Sequence, residues 1–230
     1  MTVLNALQSA AIRLIGQRPA VFFSSQQVFE MEMVDLLNDV AADICKSHDW
    51  RALTRLQTYA GDGQTEAFDL PDDYDRMPVL QDIHSATWRQ WRWVPAQSLD
   101  QWLDYKTFAT VTPGMWIMLD GRIQFYPPIP QGEVARLYYI SKNYARGTNG
   151  ALKPAFDNDN DEFLLPERLL TLGIVWRWRE QKRLDSTADQ ENFLKAFNEA
   201  AGREKGSRVV RIGGRTMPYD ARPSYPGTLG

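Results

Sequence analysis

Met115-Trp116-Ile117-Met118-Leu119-Asp120-Gly121-Arg122-Ile123-Gln124-Phe125-Tyr126 is the stretch whose reading decides the fold. Two runs of large apolar and aromatic residues flank an Asp-Gly pair, which supplies the positive φ values that a type I′ turn requires. The spacing predicts a hairpin of strands over 115–119 and 123–126, ended by Pro127 and Pro128. Moving outward, 133–140 reads as another strand through Val134, Leu137 and Tyr139. Short alternating runs at 52–59, 65–70 and 79–84 read the same way. Ser98 is placed to cap a short helix over 99–105 that interrupts the strands.

Farther out, the apolar period changes from two to 3.6. Val3, Leu4, Leu7, Ala11, Leu14 and Ile15 describe a helix over 2–15 that Gly16 and Pro19 stop. A second helix begins after Ser24 or Ser25, where Ser24 and Gln27 have capping-box spacing. It runs through Val28, Met31, Val34, Leu37, Ala41 and Ile44 to about residue 47. Pro166 fits the first turn of a third helix, with Leu169, Leu172, Ile174, Val175, Trp176 and Trp178 as its apolar surface, ending near Arg183. A fourth spans 186–201 with Phe193, Leu194, Phe197 and Ala201 on one side and Gly202 as terminator, packed antiparallel to the third. The expected fold class is α+β. A helical bundle from both chain ends (1–50 and 151–203) carries an inserted antiparallel β domain (51–150) and an extended C-terminal tail (204–230).

That tail differs in character from everything before it. Residues 203–230 hold six Lys or Arg and two acids, a local charge of +4 that leaves −7 upstream in a chain of net −3. Arg208, Val209, Val210, Arg211, Ile212, Arg215, Met217, Tyr219, Arg222 and Tyr225 alternate charge with scattered apolar groups and show no period. Such a segment buries too little surface alone to offset ordering entropy, and gains shape when laid along another subunit. The rest is ordinary for a globular protein of 230 residues, with 43% hydrophobic and 24% charged residues, which excludes wholesale disorder and fibrous classes. Cys45 is the single cysteine, so no intramolecular disulfide and no cysteine-rich zinc site can form. No basic start followed by an apolar run, and no stretch of about 18 apolar residues, points to a signal peptide or membrane span. A soluble protein is the expectation.

Candidate chemistry is sparse. Asp157-Asn158-Asp159-Asn160-Asp161 imitates the start of a calcium loop. An EF-hand, however, needs Gly at its sixth position and Glu at its twelfth, where this chain has Glu162 and Arg168. A loop leading into the third helix, its charge favouring the helix dipole, is the better reading. Asp72, Asp73 and Asp75 sit in one Pro-containing turn. Paired carboxylates there, with Trp88, Trp91, Trp93, Trp102 and Trp116 as platforms, define the alternative of a carbohydrate-binding or glycoside-hydrolysing protein. Turn-forming Asp and Pro, and core or interface tryptophans, account for the same residues. Trp88, Trp91 and Trp93 are therefore expected at a subunit or tail interface. The tail arginines also admit a nucleic-acid-binding arm. His48 and His84 stand alone, and no phosphate loop, nucleophile elbow, cofactor or metal signature is present. Opposite the core face of the second helix lie Glu32, Asp35, Asp39 and Asp43, a solvated or interface stripe.

An ordered set of landmarks carries a family resemblance. These are Trp50, Leu70-Pro71-x-Asp73-Tyr74-Asp75-Arg76, Trp116-Ile117-x5-Ile123-x-Phe125-Tyr126-Pro127 and Tyr138-Tyr139-Ile140-Ser141-Lys142. Phe156 with Asp157 and Asp159, Leu165-Pro166-Glu167 and Leu172-Gly173-Ile174-Val175-Trp176-Arg177-Trp178 follow. Across most of 50–202 they resemble the head-to-tail adaptor proteins of tailed bacteriophages. The resemblance implies a non-catalytic structural protein of the virion neck, assembled in the host cytoplasm, without cofactor, metal or membrane. It implies a homo-oligomeric ring, typically twelve copies, that binds the portal protein above and receives a tail or nozzle protein below. The ten tail residues named above, from Arg208 to Tyr225, would dock on the portal. Asp35, Asp39 and Asp43 would face a channel through which DNA passes at ejection without sequence-specific binding.

Overall fold

A computed structural model of the chain describes residues 2–79, 83–85, 92–108 and 114–204, with the backbone alone at Arg92 and Phe108. Five α-helices lie among the described residues: Val3–Ile15 (α1), Val28–Ser47 (α2), Leu99–Phe108 (α3), Glu167–Gln181 (α4) and Thr187–Glu204 (α5). They combine with a large sheet, and the fold is α+β.

The deciding hairpin forms as its turn chemistry requires. Met115–Leu119 (β6) pairs antiparallel with Arg122–Tyr126 (β7) from Met115↔Tyr126 to Leu119↔Arg122. Asp120 and Gly121 take φ of 52° and 68°, the left-handed pair of a type I′ turn. The remaining strands of this sheet are Thr54–Ala60 (β1), Ala67–Asp69 (β2), Tyr74–Arg76 (β3), Ile83–Ser85 (β4), Arg92–Pro95 (β5) and Val134–Ser141 (β8). Their order is β1-β8-β4-β5-β6-β7-β2, with β3 also on β8. The two ends of that path nearly meet, because Tyr59 of β1 lies 5.1 Å from the Phe68 ring of β2 and its hydroxyl donates to the Asp69 carbonyl at 3.1 Å. The sheet thus approaches a barrel around Tyr59, Ile83, Trp93, Ile123, Phe125, Ile129, Ala135, Leu137 and Tyr139.

One pairing departs from the all-antiparallel expectation: β5 and β6 run parallel, Val94 opposite Met115. Parallel neighbours need a crossover rather than a tight turn, and α3 supplies it. Ser98 caps that helix by accepting the Gln101 N–H at 3.1 Å. Trp102 and Tyr105 set their rings edge-on against Tyr126, at 6.5 and 6.1 Å, holding α3 on the outer side of the hairpin.

A second hydrophobic cluster joins residues from both chain ends. In α2, Met33, Leu37, Val40, Ala41 and Ile44 face inward at 3–4 residue spacing. α4 is the hub, in contact with α1, α2 and α5, and every residue from Leu169 to Val175 is buried. A helix covered on all sides needs no amphipathic stripe. Gly173 is the point of closest approach: a Cβ there would stand 2.5 Å from Val40 Cγ1 and 3.2 Å from the Phe193 ring. The α4–α5 pair is antiparallel, since Arg179 bonds Asp189 across the turn while Trp176, one turn earlier, stacks on Phe193.

Three local expectations shift. The Ser24–Gln27 capping box is absent; α2 starts at Val28, and the Ser25 hydroxyl instead accepts the Gln27 N–H at 3.3 Å. Pro166 stands at the N-cap of α4 rather than inside it. Gly202 does not terminate α5, which continues to Glu204 through an exposed turn where nothing crowds the glycine.

Candidate interaction surface

The acidic run was expected to lead into α4; it organises α1 instead. The carbonyls of Asp161 and Asp159 accept the N–H groups of Val3 and Leu4, at 2.8 and 3.0 Å, two donors that a helix start leaves free. The Asp159 carboxylate accepts the Phe22 N–H at 3.1 Å, tying down the loop after α1. Asp161, only 1% exposed, accepts from Lys153 Nζ at 2.8 Å and from the N–H groups of Asp157 and Asn158 at 3.0 Å. Burial alone would raise its pKa, yet these donors outweigh it and hold the carboxyl below its ordinary range. The loop's oxygens converge on protein donors, and among the described residues no group of three His, Cys, Asp or Glu gathers to hold a metal.

The second carboxylate group is also built into the fold. Asp73 accepts from the hydroxyls of Tyr139 and Ser141, both at 2.7 Å, and joins the turn before β3 to β8. Burial raises its pKa and those two bonds more than offset the rise, so the carboxyl sits low. Asp75 pairs with Arg76 at 2.6 Å, and Asp72 is exposed. The three do not converge as an acid and base. Trp93 and Trp102 are buried, Trp93 edge-on to Phe125 at 5.7 Å, so the Trp93 ring expected at an interface belongs to the sheet's own core. Trp88, Trp91 and the ten expected docking residues from Arg208 to Tyr225 lie outside the described residues. His84 is exposed, and His48 stands edge-on to Trp50 at 4.9 Å.

What the structure leaves open to a partner is the outer face of α2. Asp35, Asp39 and Asp43 are all exposed there. Their neighbours differ. Asp43 pairs with Arg177 at 2.7 Å, and Glu32, farther up the helix, takes Lys182 at 2.7 Å and the Trp178 indole N–H at 3.3 Å. Sequence inspection missed these cations because they come from α4 and its C-cap, more than 130 residues away. No described side chain pairs with Asp35 or Asp39, so the stripe keeps net negative charge in its middle.

Three adjoining grooves follow this face. The first, about 580 Å³, is lined by Lys46, His48, Arg51, Arg76, Val79 and Glu204. The second, about 430 Å³, has an apolar floor of Val40, Ile44, Gly173, Trp176 and Phe193. The third, about 540 Å³, is edged by Asp39, Asp43, Glu180 and Arg177. Lys46 borders all three. At the first, Arg76 binds the carbonyls of Cys45 and His48, at 3.2 and 2.9 Å, and the Asp49 carboxylate at 3.1 Å. A cation on the last carbonyls of α2 complements the helix dipole and pins β3 of the sheet to the helices. Glu204, at the root of the basic segment, accepts the Arg51 N–H at 2.8 Å.

The chain as a whole says what this body belongs to: residues 1–218 match the family model of the SU10 adaptor protein. The chain belongs to that family, a family of phage head-to-tail adaptors, and so is a structural component of the virion that meets other head and tail components. Comparison with curated proteins finds no match.

Proposed function

We propose that this adaptor acts as a ring, of twelve copies by resemblance to the family, seated beneath the portal in the virion neck and receiving the tail or nozzle protein below. Residues 1–50 with 151–203 serve as a helical body, 51–150 as a β-rich domain toward the lower partner, and 204–230 as the portal-docking arm. Arg208, Val209, Val210, Arg211, Ile212, Arg215, Met217, Tyr219, Arg222 and Tyr225 are its contact residues. The observation that carries this reading is the extent of the family match, which continues past the last helix into the basic segment as far as residue 218. The first half of the arm, as far as residue 218, thus falls within the span of the family match.

Ordering such an arm costs roughly 1–2 kcal/mol of backbone entropy per residue, which each copy offsets by burying its apolar groups and pairing its arginines. A ring engages all arms at once, and effective concentration makes weak single contacts into a stable joint. Exposed Asp35, Asp39 and Asp43 fit a channel wall, since like charge withholds the attraction that basic grooves offer to phosphate. Mixing the full-length chain with portal protein and measuring mass by light scattering tests the proposal. A ring-sized complex that deletion of 205–230 abolishes is expected. Failure of the intact chain to join the portal, or binding that survives the deletion, refutes it.

A further inference from the structure

We propose that two copies of this chain join through α3 of one and the second groove, between α2, α4 and α5, of the next. Leu99 and Leu103 sit on the apolar floor, and Asp100 or Asp104 meets Lys46 at its edge. The proposal rests on the ring reading above and supplies the contact between its subunits.

The ridge is a pair of leucines. Leu99 and Leu103 are 58% and 61% exposed, one helical turn apart on α3. Single exposed apolar residues are ordinary, but two at i and i+4 form the kind of anchor by which a helix enters a groove. They do not hold α3 in place, because Trp102 and Tyr105 already do so against Tyr126. Asp100 and Asp104 follow the leucines by one residue each and run beside them as an exposed acidic row. Neither has a partner among the described residues.

The groove is the counterpart in shape and sign. Its floor of Val40, Ile44, Gly173, Trp176 and Phe193 bounds about 430 Å³, and all its lining residues come from α2, α4 and α5. Lys46 is exposed at its edge and has no partner among the described residues, whereas Arg177 is already held by Asp43. An apolar ridge with an acidic margin thus matches an apolar groove with a cationic one.

Both halves occur in one chain, yet neither fills the other there: α3 rests on the hairpin, and the leucines stay exposed. A second copy is the occupant that carries the matching ridge. Because the two surfaces differ, the contact is heterologous, and each copy keeps one half open for a further neighbour, which builds a ring or an open chain. Two leucines and their margins fall well short of the roughly 800 Å² per partner of a standard interface, so one contact is weak and gains from closure. Asp35 and Asp39 do not line this groove, which leaves the middle of the acidic stripe clear.

The test is disulfide trapping of the full-length chain without portal, in oxidised glutathione, read on non-reducing gels. Two double variants, Lys46→Cys with Asp104→Cys and Lys46→Cys with Asp100→Cys, cover the two directions in which the ridge can lie. All three positions are exposed, so folding is not at risk. Cys45 does not compete, being buried with its thiol pushed up to about 12. At least one double variant is expected to give a ladder of linked dimers, trimers and larger species. Adding Leu103→Asp, at an exposed position, should slow the ladder about tenfold, since a carboxylate would have to enter the apolar floor. Mixing the two single variants of that pair should stop at dimers of one with the other. Absence of linked species in both double variants, trapping that ends at dimers, or a ladder indifferent to Leu103→Asp would each overturn the proposal. If trapping fails while the chain still forms a ring-sized complex with portal protein, only this contact falls; if both fail, the ring reading falls with it.

Discussion

Replacing glycine by alanine at Gly173 and at Gly202 should move stability in opposite directions. Both residues lie inside helices, where alanine is favoured over glycine by about 1 kcal/mol. At Gly202 nothing stands within 4 Å of an added Cβ, so the full propensity gain is expected. At Gly173 the methyl would stand 2.5 Å from Val40 Cγ1, over 1 Å inside ordinary contact, with the Phe193 ring at 3.2 Å on another side. Val40 is β-branched and buried in α2, so it cannot swing away and the helices themselves must part. Overpacking of this kind costs about 2–3 kcal/mol, which outweighs the propensity gain and leaves a net loss of about 1–2 kcal/mol. For a chain of this size that corresponds to roughly 2–8 °C in Tm, downward for Gly173→Ala, and about 2–4 °C upward for Gly202→Ala. Thermal unfolding followed by helical circular dichroism reads both. Stabilisation by Gly173→Ala comparable to that by Gly202→Ala would refute the claim that α2 and α4 meet at that glycine.

Asp161→Asn should cost about 2–3 kcal/mol, because it removes the charge that faces Lys153 and two backbone donors in a buried position. Since the folded-state pKa of Asp161 is depressed, the wild-type contribution is present above the unfolded value of about 4 and is lost as pH falls through the folded value. Urea midpoints measured from neutral pH downward should therefore fall less steeply in Asp161→Asn; an unchanged slope would contradict the assignment. Arg76→Ala should destabilise by about 2 kcal/mol, through the two α2 carbonyls and the Asp49 carboxylate left without their donor. Hydrogen exchange should then quicken first at the end of α2 and in β3, and uniform quickening across the sheet would argue against a junction role.

Much of the fold was legible because its signals are local. Asp120-Gly121 permits little but a tight hairpin turn, and the switch from alternating to 3.6-residue spacing separates sheet from helices. Gly16 shows the same directness, ending α1 with a left-handed φ of 71°. Where reading failed, a distant partner had overridden a local preference. Ser24 and Gln27 have capping-box spacing, but the chain there is shaped by Asp159 holding Phe22, 137 positions away. Gly202 carries a stop signal that an otherwise sound helix passes through. The burial of Trp93 likewise depends on the closing of the sheet around it.

The candidate surface divides in the same way. The carboxylates of α2 were visible as a stripe from their spacing alone, and the basic arm from its charge and loss of period. Which members of the stripe remain free among the described residues was decided by α4 and its C-cap, where Arg177 and Lys182 reach Asp43 and Glu32 and leave Asp35 and Asp39 without a partner. The apolar floor of the second groove exists because α2, α4 and α5 close on Gly173. Helix, strand and turn follow from interactions a few residues apart, which sequence spacing encodes directly. Neutralisation of a charge and the shape of a groove depend on groups brought together from far along the chain, and those distances are set when the two hydrophobic clusters pack.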